Sequence, residues 1–600
     1  MTITLTVYGD SSNVLDTPTV FFAFGTSLIG TASPPLDPGH YTNVIYGDYY
    51  GLTGHAAGGR DTLTGGEASF NTLYGDAFFL SGHAIGNGDL LISGLDAMSN
   101  DLFGDADSIS GFGRGGADSL YGADRGFTNL LVGDARSMTD SAIGGRDQLL
   151  GGVYAGSVLT TSGNLMYGDA LDMAGASHGG KDVLVGGALA FNTLHGDAGT
   201  MGGSAIGGAD TLTGGNGASN TLYGDAYAMT GSARGGNDSL MGGDSDPLGL
   251  YTANVMYGDA QSMADTTHGG NDVLRGSGMN NTMIGDGSLM AGQAVGGNDT
   301  FWGADGVNNN LLGDADLMLE FSRGGNDVLH GAHDAHYNTL TGDATFMQDS
   351  TVGGRDTLFG GGASQNDLYG DAAFLLGNAV GGNDSLVGGA GFFLNTLYGD
   401  ALTLSGAAVG GKDTLVGDAA EVNNFYGDGY TLAGTAKGGN DQLTGGQGAS
   451  INTLMGDAQT LKDSARGGND LVTGGKDAVF NYLYGDGYEL LNLAVGGNDT
   501  LVSAAGTDDQ MWGDAHDVAA GATRGKDHFV FAPGNGHDTI NDFVHGQDKI
   551  DLKAFATSGV HSLAALVITV GGGHSHILLG TGTVDVMGVT NLVASDFMFA

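Results

Sequence analysis

The stretch Gly58-Gly59-Arg60-Asp61-Thr62-Leu63-Thr64-Gly65-Gly66, continued by Asn71-Thr72-Leu73-Tyr74-Gly75-Asp76-Ala77 and Leu80-Ser81-Gly82, decides the fold. It is one unit of a repeat with a period of about 28 or 29 residues, the sequence mark of a solenoid or array. A Gly-Asp pair occurs at Gly47-Asp48, Gly75-Asp76, Gly104-Asp105 and on to Gly513-Asp514, seventeen times. Each time another Asp follows thirteen residues later. Each unit carries three L-x-G segments, here ending at Gly65, Gly75 and Gly82, and each is short and bounded by Gly, Asn or Asp. That pattern predicts strands and tight turns. The expected fold is all-β: a parallel β-solenoid, β-roll-like, of about 17 turns with a small C-terminal β cap. Leucines should form internal ladders, with the Thr and Tyr beside them pointing outward. The spacing leaves open whether a turn holds two strands or three.

Composition narrows the class. In an array each repeat contacts only its neighbours, so 600 residues need not mean several globular domains. Glycine numbers 117 but has no triplet period, which excludes collagen. The six prolines, at 18, 34, 35, 38, 247 and 533, avoid the L-x-G segments, as continuous strand pairing requires. Four residues after each Gly-Asp stands an aliphatic residue or Met, among them Leu52, Ile109, Met138, Met229 and Leu404. Free exchange of Leu and Ile for Met marks this row as core filling rather than a ligand stripe. The segments divide as 1–45, an N-terminal capping or docking piece with a lone Tyr8-Gly9-Asp10; 46–527, the repeats; and 528–600, a C-terminal β domain. Two turns are enlarged, around Val153-Tyr154 and Asp246-Pro247.

Charge is the functional clue. Nineteen basic against 67 acidic residues give −48, which disfavours nucleic acid and anionic membranes as partners. No apolar stretch is long enough to span a bilayer, so membrane insertion is not expected. There is no cysteine, and the N-terminus reads as no cleaved signal peptide. Stacking one turn on the next, about 4.8 Å apart, places equivalent Asp residues in columns. Neighbouring charges in such a column cost about 0.9 kcal/mol even in water and about 3.5 kcal/mol at an effective dielectric of 20. A lone Asp in a turn is ordinarily a local hydrogen-bonding device, but Asn or Ser would serve that purpose without repulsion. A cation must therefore offset the columns. Calcium fits best, because it takes six to eight oxygen ligands in flexible geometry. Zinc would want Cys or His, and the His residues show no ligand spacing.

The turns Gly235-Gly236-Asn237-Asp238-Ser239-Leu240 and Gly296-Gly297-Asn298-Asp299-Thr300-Phe301 resemble the RTX, or haemolysin-type, calcium-binding repeat. The resemblance implies Ca²⁺ held between adjacent turns of a parallel β-roll by the loop Asp and loop carbonyls. The matching carboxylates are Asp61, Asp89, Asp118, Asp147, Asp182, Asp210, Asp238, Asp272, Asp299, Asp327, Asp356, Asp384, Asp413, Asp441, Asp470, Asp499 and Asp527. The Gly-Asp column supplies the second set of metal candidates: Asp48, Asp76, Asp105, Asp134, Asp169, Asp197, Asp225, Asp259, Asp286, Asp314, Asp343, Asp371, Asp400, Asp428, Asp457, Asp486 and Asp514. Departures from the family are a turn of about 28 residues instead of 18, and Asn where the second edge would carry Asp, as at Asn452. Six loops carry a cation, at Arg60, Arg146, Lys181, Arg355, Lys412 and Lys526, positions from which a side chain can replace calcium in part.

After residue 527 comes Gly534-Asn535-Gly536-His537-Asp538-Thr539-Ile540, then Asp542-Phe543 and Ile550-Asp551-Leu552. This resembles the block that ends many RTX proteins, and Asp538 within it is a further metal candidate. The closing Asp596-Phe597-Met598-Phe599-Ala600 is similar to the tail of type I secretion substrates. The resemblance implies export by an ABC transporter, folding on calcium outside the cell, and an extracellular or cell-surface location in a Gram-negative bacterium. No catalytic residues are expected. The one G-x-S-x-G, Gly175 to Gly179, lies inside a repeat and not on a strand–helix elbow. Two readings of function remain: a structural subunit of a surface layer, matrix or filament that forms a homopolymer, or a calcium-dependent adhesin binding a ligand along one face.

Overall fold

The computed structural model describes residues 3–8, 27–29, 41–124, 127–153, 163–245, 253–362, 365–390 and 393–600. The chain forms two compact units, Met1–Ala304 and Asp305–Ala600. Both are parallel β-solenoids, and each turn contributes three strands. In the first unit Thr62–Thr64, Phe70–Tyr74 and Phe79–Leu80 make one turn. They pair in parallel with Leu90–Ile92, Ser99–Phe103 and Ala106–Ile109 of the next. Three strands are needed because the period of about 28 holds three apolar positions that must face inward, with a Gly-bounded corner between each pair.

The register stacks like on like. Leu63 lies opposite Leu91, Leu73 opposite Leu102, and Leu80 opposite Ile109. These leucines and isoleucines are buried, and so is the methionine row, from Met138 to Met290 in the first unit and at Met318 and Met347 in the second. The methionines are core filling. The second sheet has nine such strands in the first unit, Tyr41–Tyr46 to Asn280–Ile284, and eight in the second, Asn308–Leu312 to Asp508–Trp512.

The tyrosines preceding Gly-Asp do not point outward as expected. Tyr46, Tyr74 and Phe103 form a buried stack with ring centroids 5.0 Å apart, and Phe78 packs edge-on against it. Tyr398 and Tyr426 repeat this in the second unit, as do Tyr484 and Trp512. The outward position before a tight corner is roofed by the first residues of the third sheet, so rings one turn apart stack instead of meeting water.

Of residues 1–45, Ile3–Tyr8 pairs with Tyr41–Tyr46 and Ser27–Ile29 with Thr62–Thr64. Gly9-Asp10, Tyr154 and Asp246-Pro247 lie outside the described residues. At the C-terminus the pattern changes to a three-stranded antiparallel meander, Val567–Gly571, His574–Leu579 and Gly582–Val586, whose last strand pairs in parallel with His537–Ile540. No helix of the described residues is long and apolar enough to cross a membrane.

Candidate metal centre

Each turn has one corner, between the third and first sheets, built on Gly-Gly-x-Asp. Both predicted carboxylate columns converge there. All thirty-four side chains are at most 3 % exposed. Along the loop column, the backbone N–H of each Asp donates to Oδ1 of the Asp one turn on: Asp89 to Asp118 at 2.6 Å, Asp118 to Asp147 at 2.7 Å, and Asp413 to Asp441 at 2.8 Å in the second unit. The Gly-Asp carboxylates accept the N–H of the second loop glycine eleven residues later. Gly116 donates to Asp105 at 2.8 Å and Gly236 to Asp225 at 2.7 Å.

This leaves oxygens over. Oδ2 of Asp118, Asp147, Asp238, Asp413 and Asp441 is buried with no hydrogen-bond partner, and so is one oxygen of Asp76, Asp105, Asp225, Asp400 and Asp457. The two columns are one band. Oxygens of Asp105, Asp118 and Asp134 lie within 4.8 Å of one another, a spacing that fits the shell of a single cation bound at 2.3–2.6 Å. The glycines are what make room. A Cβ on Gly104 would overlap Asp118 Oδ2 and the Gly133 carbonyl; a Cβ on Gly115 would overlap the Asp134 carboxylate.

Burial pushes these carboxyls up, and like charge adds to it. Asp118 is raised well above the ordinary range, first by desolvation, then by Asp105, Asp147 and Asp89. Asp169 is raised by desolvation and then by Asp182, Asp197 and Asp134. Asp225 is pushed up to about 7 and Asp486 to about 8, desolvation leading in both. Each of these carboxyls therefore gives up its proton at a higher pH than a water-exposed carboxylate does.

A neighbouring corner shows what a self-sufficient ladder looks like. Within each unit the Asn of the N-x-L-x-G-D segment stacks on the Asn of the next turn. Asn395 Nδ2 donates to Asn423 Oδ1 at 2.9 Å and to the Gly389 carbonyl at 2.9 Å, and its Oδ1 accepts from Asn366 at 2.9 Å. Asn carries both donor and acceptor, so the column closes without help. This accounts for Asn452 standing where the repeat family would place Asp. Asp538 belongs to this ladder and not to the carboxylate band. Its Oδ1 accepts from Asp509 N–H, and its Oδ2 from Ser503 and Asn535 at 2.9 and 2.8 Å.

One turn supplies its own cation. Arg524 replaces the first loop glycine, and its Nη1 donates to Asp514 Oδ2 at 3.0 Å and Asp542 Oδ2 at 3.4 Å. Asp514 has no orphaned oxygen. Sequence reasoning looked for such cations one position away from the glycine pair. There Arg60, Arg146, Lys181, Arg355, Lys412 and Lys526 are all exposed. None of them forms an ion pair with the band among the described residues. From that position the side chain leaves the loop outward; only a side chain on the glycine itself turns in. Arg524 and Asp542 were missed, although Arg at a position otherwise held by Gly was a visible signal. Ser177, of the G-x-S-x-G, is a buried corner residue.

The family described as Peptidase M10 serralysin C terminal matches residues 353–579. The match covers the later turns and most of the C-terminal region. With the parallel solenoid it fits an RTX-type repeat protein. No curated protein and no solved structure matches the chain.

Proposed function

We propose that this chain is a secreted structural protein of the bacterial cell surface or extracellular matrix whose solenoid is completed by Ca²⁺. One contrast carries the reading: the Asn ladder satisfies itself, while the Asp band beside it leaves buried, partnerless oxygens turn after turn. Such oxygens cost free energy unless protonated or bound by a cation. The donor set is all oxygen, carboxylate and glycine carbonyl, with space left by absent Cβ atoms. That chemistry suits calcium and not zinc. In the first unit the ligands would be the loop Asp of one turn with the Gly-Asp carboxylates on either side of it, as at Asp105, Asp118 and Asp134.

The linkage gives a use. An ion that binds only the folded form stabilises it by RT ln(1 + [L]/Kd). With little free calcium inside the cell, repulsion keeps the chain open for a type I exporter. Outside, calcium folds it. The reading is of a scaffold rather than a catalyst, since the same side chains recur at each corner from turn to turn. Far-UV circular dichroism during a calcium titration from a chelated sample tests it. A cooperative gain of β signal supports the proposal, and a signal indifferent to calcium ends it.

A further inference from the structure

The distribution of the few basic residues has a second consequence. Eleven of the nineteen sit at just two positions of the turn: the residue before the glycine pair and the residue after it. In the first unit these are Arg60, Arg114, Arg146, Lys181 and Arg234; in the second, Arg323, Arg355, Lys412, Lys437, Arg466 and Lys526. No acidic residue occupies either position in any turn. The residue before the glycines forms one parallel bridge per turn, Arg114 to Ile143 to His178 for example, so these side chains stand in a register column. All eleven are exposed, and none is in an ion pair among the described residues. Between the two columns runs a glycine-floored furrow, about 620 Å³ where Arg114, Arg146 and Lys181 line it.

The corner joining the first and second sheets is the reverse. It carries exposed Glu67, Asp96, Asp124 and Asp244 in the first unit, and Asp305, Asp334, Asp418 and Glu421 among others in the second. The cation described there, Lys476, stands 3.8 Å from Asp477. Neutralising the thirty-four buried carboxylates would bring the net charge from −48 to −14, with exposed Asp140, Asp265, Glu320, Asp349 and Asp463 as the acidic residues of the same loop. A chain of high net negative charge that nevertheless gathers these cations unpaired along one corner of each unit suits a partner with acidic rows at the same repeat. A second copy of this chain carries such rows.

We infer that the glycine-pair edge of a unit in one copy docks against the acidic corner of a unit in a second copy, side by side, once calcium has neutralised the buried carboxylate band. This rests on the calcium reading above. Such a contact uses two different surfaces, so it does not close on a pair and adds further copies into a ring or an open filament. Register follows from the shared spacing of about 4.8 Å per turn.

The test uses the full chain in millimolar calcium, with light scattering for assembly and circular dichroism for folding. Wild type should assemble at low salt and disperse at about 0.5 M NaCl, where the screening length is only a few ångströms. The variant R146E/K181E/R355E/K412E should fold with calcium but associate at least about tenfold more weakly. The acidic-corner variant E67K/D124K/D334K/E421K should behave likewise. Mixing the two should restore assembly, because each then offers what the other lost. Variants that assemble as wild type does, or a wild type that folds with calcium yet stays monomeric at low salt, overturn the inference, and so does a monomer that binds a carboxylated polysaccharide instead. A β signal that ignores calcium fails the earlier reading instead, so the two failures are distinguishable.

Discussion

Replacing Asp225 by asparagine should stabilise the metal-free protein and weaken the calcium-loaded one. Asp225 is fully buried; one oxygen accepts the Gly236 N–H at 2.7 Å and the other has no partner. Burial raises its carboxyl from 3.8 to about 7. Holding it ionised above that pH costs roughly three pH units of free energy, about 4 kcal/mol. The Asp225→Asn side chain keeps the acceptor for Gly236 and places an NH₂ where the orphaned oxygen was. Asp197 and Asp259, the side chains that interact with Asp225, can accept from it. Without metal at pH 8, Asp225→Asn should therefore gain up to about 4 kcal/mol locally. With calcium at about ten-thousandfold its dissociation constant, losing the ion there forfeits about 5.5 kcal/mol, more than the asparagine gains. Stability in an array is local, so the assay is amide hydrogen exchange resolved by peptide, in EDTA and in calcium. Protection around residues 225–238 should rise in the first and fall in the second. An equal loss in both would show that the carboxylate serves only as an acceptor for Gly236, and the metal argument would fail at that turn.

Other outcomes follow from the same geometry. Arg524→Gln removes the cation of the last carboxylate turn and strands Asp514 and Asp542. In EDTA it should cost about 3 kcal/mol, read as the denaturation midpoint of the C-terminal turns, and less in calcium. Asn395→Ala breaks three ladder bonds and should cost about 3 kcal/mol whether or not calcium is present; a calcium-dependent loss would mean that the Asn ladder also takes part in metal binding. Acid should partly stand in for calcium. Folded pKa values raised above the unfolded ones mean that the folded chain binds more protons, so metal-free stability is greatest below about 4 and falls as pH rises. The fall extends through the folded values of about 6 for Asp343 and Asp428, 7 for Asp225 and 8 for Asp486. The β signal of a chelated, dilute sample should be larger at pH 4 than at pH 8, and a signal that grew with pH would contradict the burial of the band.

Much of this was legible in the sequence. The period, the inward leucines and the core role of Met138 or Met229 follow from spacing and from which residues replace one another. The carboxylate columns follow from stacking alone. What spacing cannot show is which way a corner folds. Asp105 and Asp118 are thirteen residues apart, and only the loop's curvature brings their oxygens into one shell. The same holds for Arg146 and Arg524, two positions apart in the repeat, one outside the loop and the other inside. The Asn ladder was half visible: Asn481, Asp509 and Asp538 are spaced by 28 and 29 residues, which already places Asp538 with the asparagines. Tyr74 misled because alternation along one strand says nothing of the third sheet that covers it.

The most direct measurement is far-UV circular dichroism of the purified chain at neutral pH after exhaustive dialysis against EDTA, then on stepwise return of calcium. The account predicts that β signal and melting point collapse on chelation and recover cooperatively with the ion. A chain that kept both in EDTA would contradict it, for the buried carboxylates would then need no cation.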